Sequence, residues 1–264
     1  GLPFADVLKE AQALGYAEAD PTFDIEGVDA AHKATIMSAI AFGIPMQFDK
    51  CYLEGISSLT SEDIRYAEEL GYRVKLLGIT RRAANGIELR VHPTLIPESR
   101  LIANVNGVMN AVLAKGDAVG PTLYYGAGAG SLPTASAVVA DIVDVTRLAT
   151  ADPEHRVPHL AFQPECIADL PILPIEEIET SYYLRVPVVD RPGVLADITR
   201  ILADEQISIE ALIQKGSDQG SHTEIVLLTH RVQEKHANSA IRRIEALDSV
   251  KGRIVRIRME ALNG

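Results

Sequence analysis

From residue 182 onward the polarity pattern reads strand, helix, strand, strand, helix, strand, an order that a ferredoxin-like βαββαβ sandwich satisfies and few other small folds do. Residues 182–189 alternate, and 192–204 have helical spacing. Residues 207–214 and 223–230 read as strands about a glycine-bounded turn, 233–247 as a helix and 253–259 as the last strand. The chain before this module has a different rhythm. Residues 2–14 are amphipathic through Leu2, Phe4, Val7, Leu8, Ala11 and Leu14, and a second helix runs over 25–42 and stops at Gly43 and Pro45. Thr60 and Asp63 have the spacing of a capping box for a third helix that ends near Gly71. Two β-rich runs, 73–82 and 86–97, flank Asn85-Gly86, a hairpin signal, and 105–113 and 119–125 are further strands. The fold class predicted is α+β: a mostly antiparallel sheet with helices on one side, followed by the ferredoxin-like unit. The division expected is residues 1–148, a proline-rich linker over 149–180, and 181–264.

Residues 15–33, Gly-Tyr-Ala-Glu-Ala-Asp-Pro-Thr-Phe-Asp-Ile-Glu-Gly-Val-Asp-Ala-Ala-His-Lys, concentrate five carboxylates and one lysine immediately before an apolar helix. Gly15 suits the C′ position of the first helix, and Pro21 disfavours the α region at Asp20, so 16–23 is expected as a loop and Asp24 as the next N-cap. On that helix Asp29 and Lys33 are four apart and share a face; Val28, Ala31, Thr35, Ala39 and Ile40 supply apolar or small contacts on neighbouring ones. An ordinary i,i+4 ion pair explains Asp29 and Lys33 alone. A loop carboxylate, Glu18, facing them makes a polar site.

This run resembles the homoserine dehydrogenase signature, in which a Gly-Tyr-x-Glu-x-Asp-Pro loop leads into an Asp-x-x-Gly-x-Asp-x-x-x-Lys helix, and the resemblance extends over nearly the whole chain. It implies NAD- or NADP-dependent interconversion of L-homoserine and L-aspartate 4-semialdehyde, within threonine and methionine biosynthesis. By that resemblance Glu18 and Asp29 bind homoserine, Lys33 moves the proton, and Asp24 and Tyr16 line the same pocket. Gly15 and Glu18 stand on the cofactor side together with Gly128 and Gly130.

The segment Gly126-Ala127-Gly128-Ala129-Gly130 follows a strand and opens a helix, but its spacing is G-x-G-x-G, and no acidic strand end completes a βαβ unit. Steric need for a tight strand-to-helix turn explains it equally well. The resemblance adds a middle reading, in which the loop approaches the nicotinamide of a cofactor held mainly by another domain. The helical start at residue 2, with no strand or turn before it, led to the expectation that the chain begins inside a larger protein and is inactive alone.

Residues 149–181 carry five prolines and little periodicity. His155 and His159 lie four apart there, but the prolines break the helix that would align them, so no metal site is expected. The turn Asp190-Arg191-Pro192-Gly193-Val194-Leu195 resembles that of ACT regulatory domains, where a helix beginning at the proline offers free N–H groups to an amino-acid carboxylate. Asp190, Pro192, Gly193, Val194 and Leu195 are the effector-site candidates, with threonine the effector implied. A module that only pairs subunits is the alternative.

Composition bounds the rest. With 264 residues, 47% of them hydrophobic and 23% charged, the chain can bury a core, and its formal charge of −11 disfavours nucleic acid and anionic membranes. Cys51 and Cys166 form neither a CxxC pair nor a disulfide framework, which fits a reducing, cytoplasmic setting. A homodimer or homotetramer is expected. The competing function is a non-catalytic amino-acid-sensing dimerisation protein.

Overall fold

The computed structural model describes residues 4–13, 20–152, 156, 158, 160–216 and 222–262. After α1 (Phe4–Ala13) the chain enters a short α2 (Thr22–Ile25) and then α3 (Val28–Phe42). The helix expected from residue 25 is thus broken, and Asp24 lies inside α2 instead of capping α3. The cause is local. Asp20 Oδ1 accepts from the Thr22 N–H at 3.1 Å and hydroxyl at 2.6 Å, which starts a helical turn early. Gly27 then ends it with φ 79°, where an added Cβ would lie 2.9 Å from Val91 Cγ1. Left-handed backbone and close approach both demand glycine there, so α3 can begin only after it. Gly43, at φ 61°, closes α3 where the sequence places its end.

Next come β1 (Tyr52–Leu53) and α4 (Ser61–Glu69). The predicted capping box is present, with the Thr60 side chain accepting from the Asp63 N–H and the Asp63 side chain from the Thr60 N–H. β2 (Tyr72–Ala83) and β3 (Gly86–Pro97) form a long antiparallel hairpin from Tyr72↔Pro97 to Ala83↔Gly86. Its turn residues are Ala84 and Asn85. Gly86 is the first strand residue, needed because a Cβ there would lie 2.4 Å from the Pro171 carbonyl oxygen.

β4 (Met109–Gly116) and β5 (Gly120–Ala127) make a separate two-stranded ribbon that leads into α5 (Ser131–Thr150). The strand expected from 105 starts later. Residues Leu101–Asn104 form a 3₁₀ turn, and Lys75 Nζ donates to the Val105 carbonyl at 2.5 Å and Asn106 Oδ1 at 3.0 Å, fixing the approach to the ribbon.

The C-terminal unit comprises β6 (Glu179–Val189), α6 (Val194–Asp204), β7 (Ile209–Gly216), β8 (His222–Thr229), β9 (Val232–Gln233), α7 (Glu234–Glu245) and β10 (Val255–Met259). Its strand order β10-β6-β8-β7 is ferredoxin-like. α6 begins two residues after Pro192, because Gly193 turns the chain at φ 95° before the helix can start. Tyr182, Leu184, Val186, Ile198, Leu202, Ile225 and Ile244 share one buried cluster between sheet and helices, each large side chain contributing about 1.5–3 kcal/mol.

The two units share one sheet. β10 pairs antiparallel with β6 and, on its other edge, parallel with β3 through Arg258↔Thr94 and Met259↔Leu95. The sheet therefore runs β1-β3-β10-β6-β8-β7, with β2 also on β3. Pleating assigns its faces. Ile87, Leu89 and Val91 of β3 meet α3, and Leu95, of the same parity, meets α4 together with Tyr183 and Ile257. Tyr182 and Leu184, of opposite parity to Tyr183, meet α6 and α7. α3 and α4 of the first unit thus occupy one face, as expected, and the helices of the second unit the other. Residues of the proline-rich segment form a strap: Ala168 N–H donates to the Gly43 carbonyl at 2.7 Å, Leu173 N–H to the Ile87 carbonyl at 2.9 Å, and Ile172 is buried against β3.

Where the units join, the sheet buries charge. Arg258 contacts Glu234 of α7 and donates to Glu54 Oε2 at 2.7 Å; Arg90 donates to Glu88 Oε2 at 3.0 Å and Glu260 Oε1 at 2.5 Å. Arg90 also reaches His92 Nε2 at 2.6 Å, so that nitrogen is the acceptor and the imidazole is neutral, its Nδ1 facing the Pro93 carbonyl. Burial, reinforced by Arg258 and Arg90, holds the His92 pKa well below 6.5. An imidazole with a depressed folded pKa binds its proton only on unfolding, so the stability it contributes is full above the unfolded pKa and declines as pH falls below it. Chemical denaturation midpoints should drop between about pH 7 and 5, and His92→Asn should flatten that dependence; an unchanged slope in the variant would assign it elsewhere.

Candidate active site

Asp29 and Lys33 meet as the helix spacing requires. Lys33 Nζ lies 2.5 Å from Asp29 Oδ2, with the lysine side chain 64% and the aspartate 43% exposed. The pair sits on an open face. α3 buries Ala31, Ala34, Thr35, Ser38 and Ala39 against the sheet, small residues that bring it close to β2, where a Cβ on Gly78 would lie 3.2 Å from that of Ala34. Its other face presents Asp29, Lys33, Ile36 and Ile40, so Ile40 faces solvent and not the core as its spacing suggested.

Sequence reasoning missed the aromatic edge of this face. Phe23 stands edge-on to the His32 ring at 5.5 Å, and His32 to Phe48 at 4.3 Å, with both phenylalanines exposed. Phe48 follows the Pro45 stop signal and carries no periodicity of its own. Exposed apolar side chains around an ion pair make a surface suited to contact with another body. Asp24 lies on α2 and is exposed. Gly15, Tyr16 and Glu18 fall outside the described residues, as do His155 and His159. Among the described residues no group of three or more His, Cys, Asp or Glu is arranged to hold a metal.

The glycine-rich segment leads from β5 into α5. The Gly128 N–H donates to the Val108 carbonyl at 3.1 Å, and a Cβ on Gly128 would fall 1.9 Å from Asn110 Nδ2. Gly130 has φ 121° and occupies the N-cap of α5 with no side-chain cap bond. Gly130 is required by its backbone conformation, whereas a side chain at Gly128 would have to displace that of Asn110. The two glycines also leave exposed backbone at a helix N-terminus, a surface that a flat polar ring can approach closely, although the segment builds no pyrophosphate cradle of its own. α5 is exposed along nearly its whole length, with Leu132 at 80%, Ile142 at 60% and Val145 at 64%. It is nonetheless no membrane span: no helix among the described residues is long and apolar enough for that.

A second candidate lies in the C-terminal unit. Asp190, Pro192, Gly193, Val194 and Leu195 line one open cavity of about 440 Å³, together with Gln214 of β7 and Ile225 of β8. The topology brings these strands beneath the turn before α6. The N-terminal N–H groups of α6 have no side-chain cap, so the cavity can receive a carboxylate.

Comparisons with known proteins identify both units of the chain. Residues 1–143 match a family model described as homoserine dehydrogenase, and residues 182–249 match one described as ACT domain. The chain is 68% identical over 263 residues to a homoserine dehydrogenase of Neisseria gonorrhoeae, covering all of this chain and 60% of that protein. It is 64% identical to one of Pseudomonas aeruginosa, of which it covers 61%. A crystal structure of a homoserine dehydrogenase from Thiobacillus denitrificans superposes with a TM-score of 0.93 at 74% identity, covering 98% of this chain and 59% of that one. The chain thus spans about 60% of the length of the relatives it matches.

Proposed function

Since the chain belongs to the homoserine dehydrogenase family, we propose that it supplies the substrate side and the regulatory module of an enzyme interconverting L-homoserine and L-aspartate 4-semialdehyde with NAD or NADP. The observation that carries this reading is the Asp29–Lys33 pair, held at 2.5 Å on an open helix face. When bound, the nicotinamide cofactor exchanges a hydride with the carbinol carbon. Lys33 holds or returns the proton of the reacting hydroxyl, and Asp29 keeps the ammonium in place while contacting substrate. Glu18 accepts from the substrate ammonium, and Asp24 and Tyr16 complete the pocket. Gly128 and Gly130, with Gly15 and Glu18, border the nicotinamide, while the dinucleotide is held mainly outside these residues, a division supported by the share of each relative beyond the match.

The domain division we propose is 1–148, 149–180 and 181–264, supported by the extents of the two family matches. A cytoplasmic homodimer or homotetramer in threonine and methionine biosynthesis completes the proposal. The exposed valines and isoleucines of α5 support a face covered by another domain or subunit. The density of charge around Glu18, Asp29 and Lys33 favours this reading over a purely amino-acid-sensing scaffold, which needs no polar pocket. The test is spectrophotometric. A full-length polypeptide carrying this chain should oxidise homoserine with NAD or NADP, and the 264-residue chain alone should not. Absence of activity in the full-length protein with both cofactors would reject the reading.

For the regulatory module we propose threonine as the effector, its carboxylate on the N–H groups after Gly193 and its ammonium near Asp190. Calorimetric titration of the chain with threonine should give saturable heat and a changed sedimentation profile. Gly193→Val, which forces a β-branched residue to φ 95°, should abolish both. No heat from the parent chain would leave the module as a subunit-pairing device.

A further inference from the structure

A cavity of about 560 Å³ lies between the two units. One wall is the segment after β1, with Tyr52, Glu54 and Ser58. The other is α7, whose Asn238, Arg242 and Glu245 recur at i, i+4 and i+7 and so share a face, with 253–256 beside them. Its volume falls within the range of small-molecule sites.

The charge on these walls is unevenly committed. Glu54 Oε2 already accepts from Tyr52 Oη at 2.7 Å and from Arg258 at 2.7 Å. Glu245 Oε1 accepts the Ile254 N–H at 3.1 Å, and Arg256 donates to Asn238 Oδ1 at 2.5 Å. Arg242 and Arg253 make no side-chain hydrogen bond or ion pair among the described residues, and neither does Ser58. Arg242 and Arg253 are therefore the cations of this cleft without a partner among the described residues, whereas Arg256 is held by Asn238, by Glu234 at 3.2 Å and by Glu54 at 3.7 Å. The surface behind them, Ile241, Ile254 and Val255, is apolar.

We propose that this cleft binds a small dianion, a dicarboxylate or a phosphomonoester, between the Arg242 and Arg253 guanidinium groups, with the Ser58 hydroxyl as a third donor. Guanidinium forks pair bidentately with both carboxylate and phosphate, and a ligand carrying two negative charges satisfies both arginines. Such a ligand bridges α7 to the segment after β1. That segment is itself tied to the candidate active site: the Ile56 N–H donates to the Ile25 carbonyl at 2.8 Å, and a Cβ on Gly55 would lie 2.7 Å from the Glu26 Cα. The cleft is distinct from the cavity under Gly193, since the two share no lining residue.

Thermal melts and calorimetry of the full 264-residue chain test the site, with inorganic phosphate and succinate as probes, and acetate and chloride at matched ionic strength as controls. Phosphate or succinate at about ten times Kd should raise Tm by about 2–5 °C, the larger shift telling which dianion the cleft prefers. Arg242→Ala combined with Arg253→Ala should abolish the shift and the heat of binding. Both side chains are exposed and unpaired, so the double variant should melt at the parent's temperature without ligand. Arg191→Ala, in the other cavity, should leave binding intact. Three results would overturn the proposal: no shift with either dianion, an equal shift with chloride or acetate, or a shift lost in Arg191→Ala and kept in the double variant.

Discussion

Lys33→Ala, made in a full-length polypeptide carrying this chain, should lower turnover on homoserine by about 10²–10⁴-fold while leaving the melting temperature within about 1 °C of the parent. The two halves of that expectation have separate causes. An exposed i,i+4 pair contributes only about 0.3–0.5 kcal/mol to a fold, and Lys33, 64% exposed, has Asp29 as its ion-pair partner. Its chemistry depends on what covers it. Closing another surface over the face formed by Asp29, Lys33, Ile36 and Ile40 removes water from around the ammonium and leaves the reacting hydroxyl as its proton partner. Lys33→Arg separates charge from proton transfer, because guanidinium keeps the positive charge but does not give up its proton. The arginine variant should therefore bind substrate and remain almost as slow as the alanine one. Asp29→Ala should also lower turnover strongly, and Glu18→Ala should act mainly on KM. Near-normal kcat in Lys33→Arg would remove the lysine from the proton-transfer role.

Arg258→Met should lower the melting temperature of the chain by about 10 °C, the effect of breaking a buried charge cluster by one member. The Arg258 side chain is 1% exposed, packed over the Tyr52 ring at 4.7 Å between Glu234 of α7 and Glu54 of the first unit. Removing it leaves Glu234, 2% exposed, with Arg256 at 3.2 Å as its remaining ion-pair partner. An uncompensated buried charge costs about 3–5 kcal/mol, and Arg256 places the expected loss toward the lower end of that range. Glu234→Gln introduced together with Arg258→Met should recover part of the loss, since the orphaned charge goes with its partner. Differential scanning calorimetry reads both. A single variant melting within about 2 °C of the parent would mean that the cluster is hydrated and does not hold the units together.

Asp63 serves the same junction from the opposite face, and it illustrates what a local motif can and cannot announce. Its capping box with Thr60 was legible from spacing alone. Burial works against its ionisation, but hydrogen bonds from Arg185 and Thr60 outweigh that and hold its carboxyl below the usual range. Arg185 Nε lies 2.6 Å from Asp63 Oδ1 across 122 positions of sequence. No pattern in either segment points to that partner.

Local rules acting within a few residues determined a good deal. The i,i+4 spacing placed Lys33 beside Asp29, β-rich runs flanking Asn85-Gly86 gave β2 and β3, and the strand–helix order gave the ferredoxin-like unit. The turn that lines the cavity at Gly193 was legible through its resemblance to ACT domains. The break at Gly27 escaped such rules, because it depends on Val91 arriving 2.9 Å from where a Cβ would stand. The largest difference is in β10. Arg256 and Arg258 alternate there with Val255, Ile257 and Met259, and Glu88, Arg90, His92 and Thr94 alternate with apolar residues along β3. Tertiary structure set β10 parallel to β3 and laid Glu234, Glu54 and Glu260 against those arginines, so that both polar faces are buried. Alternation specifies which side chains share a face. Whether that face meets water or a matching set of charges is decided by the partner element, and here the partners lie 24 to 204 residues away.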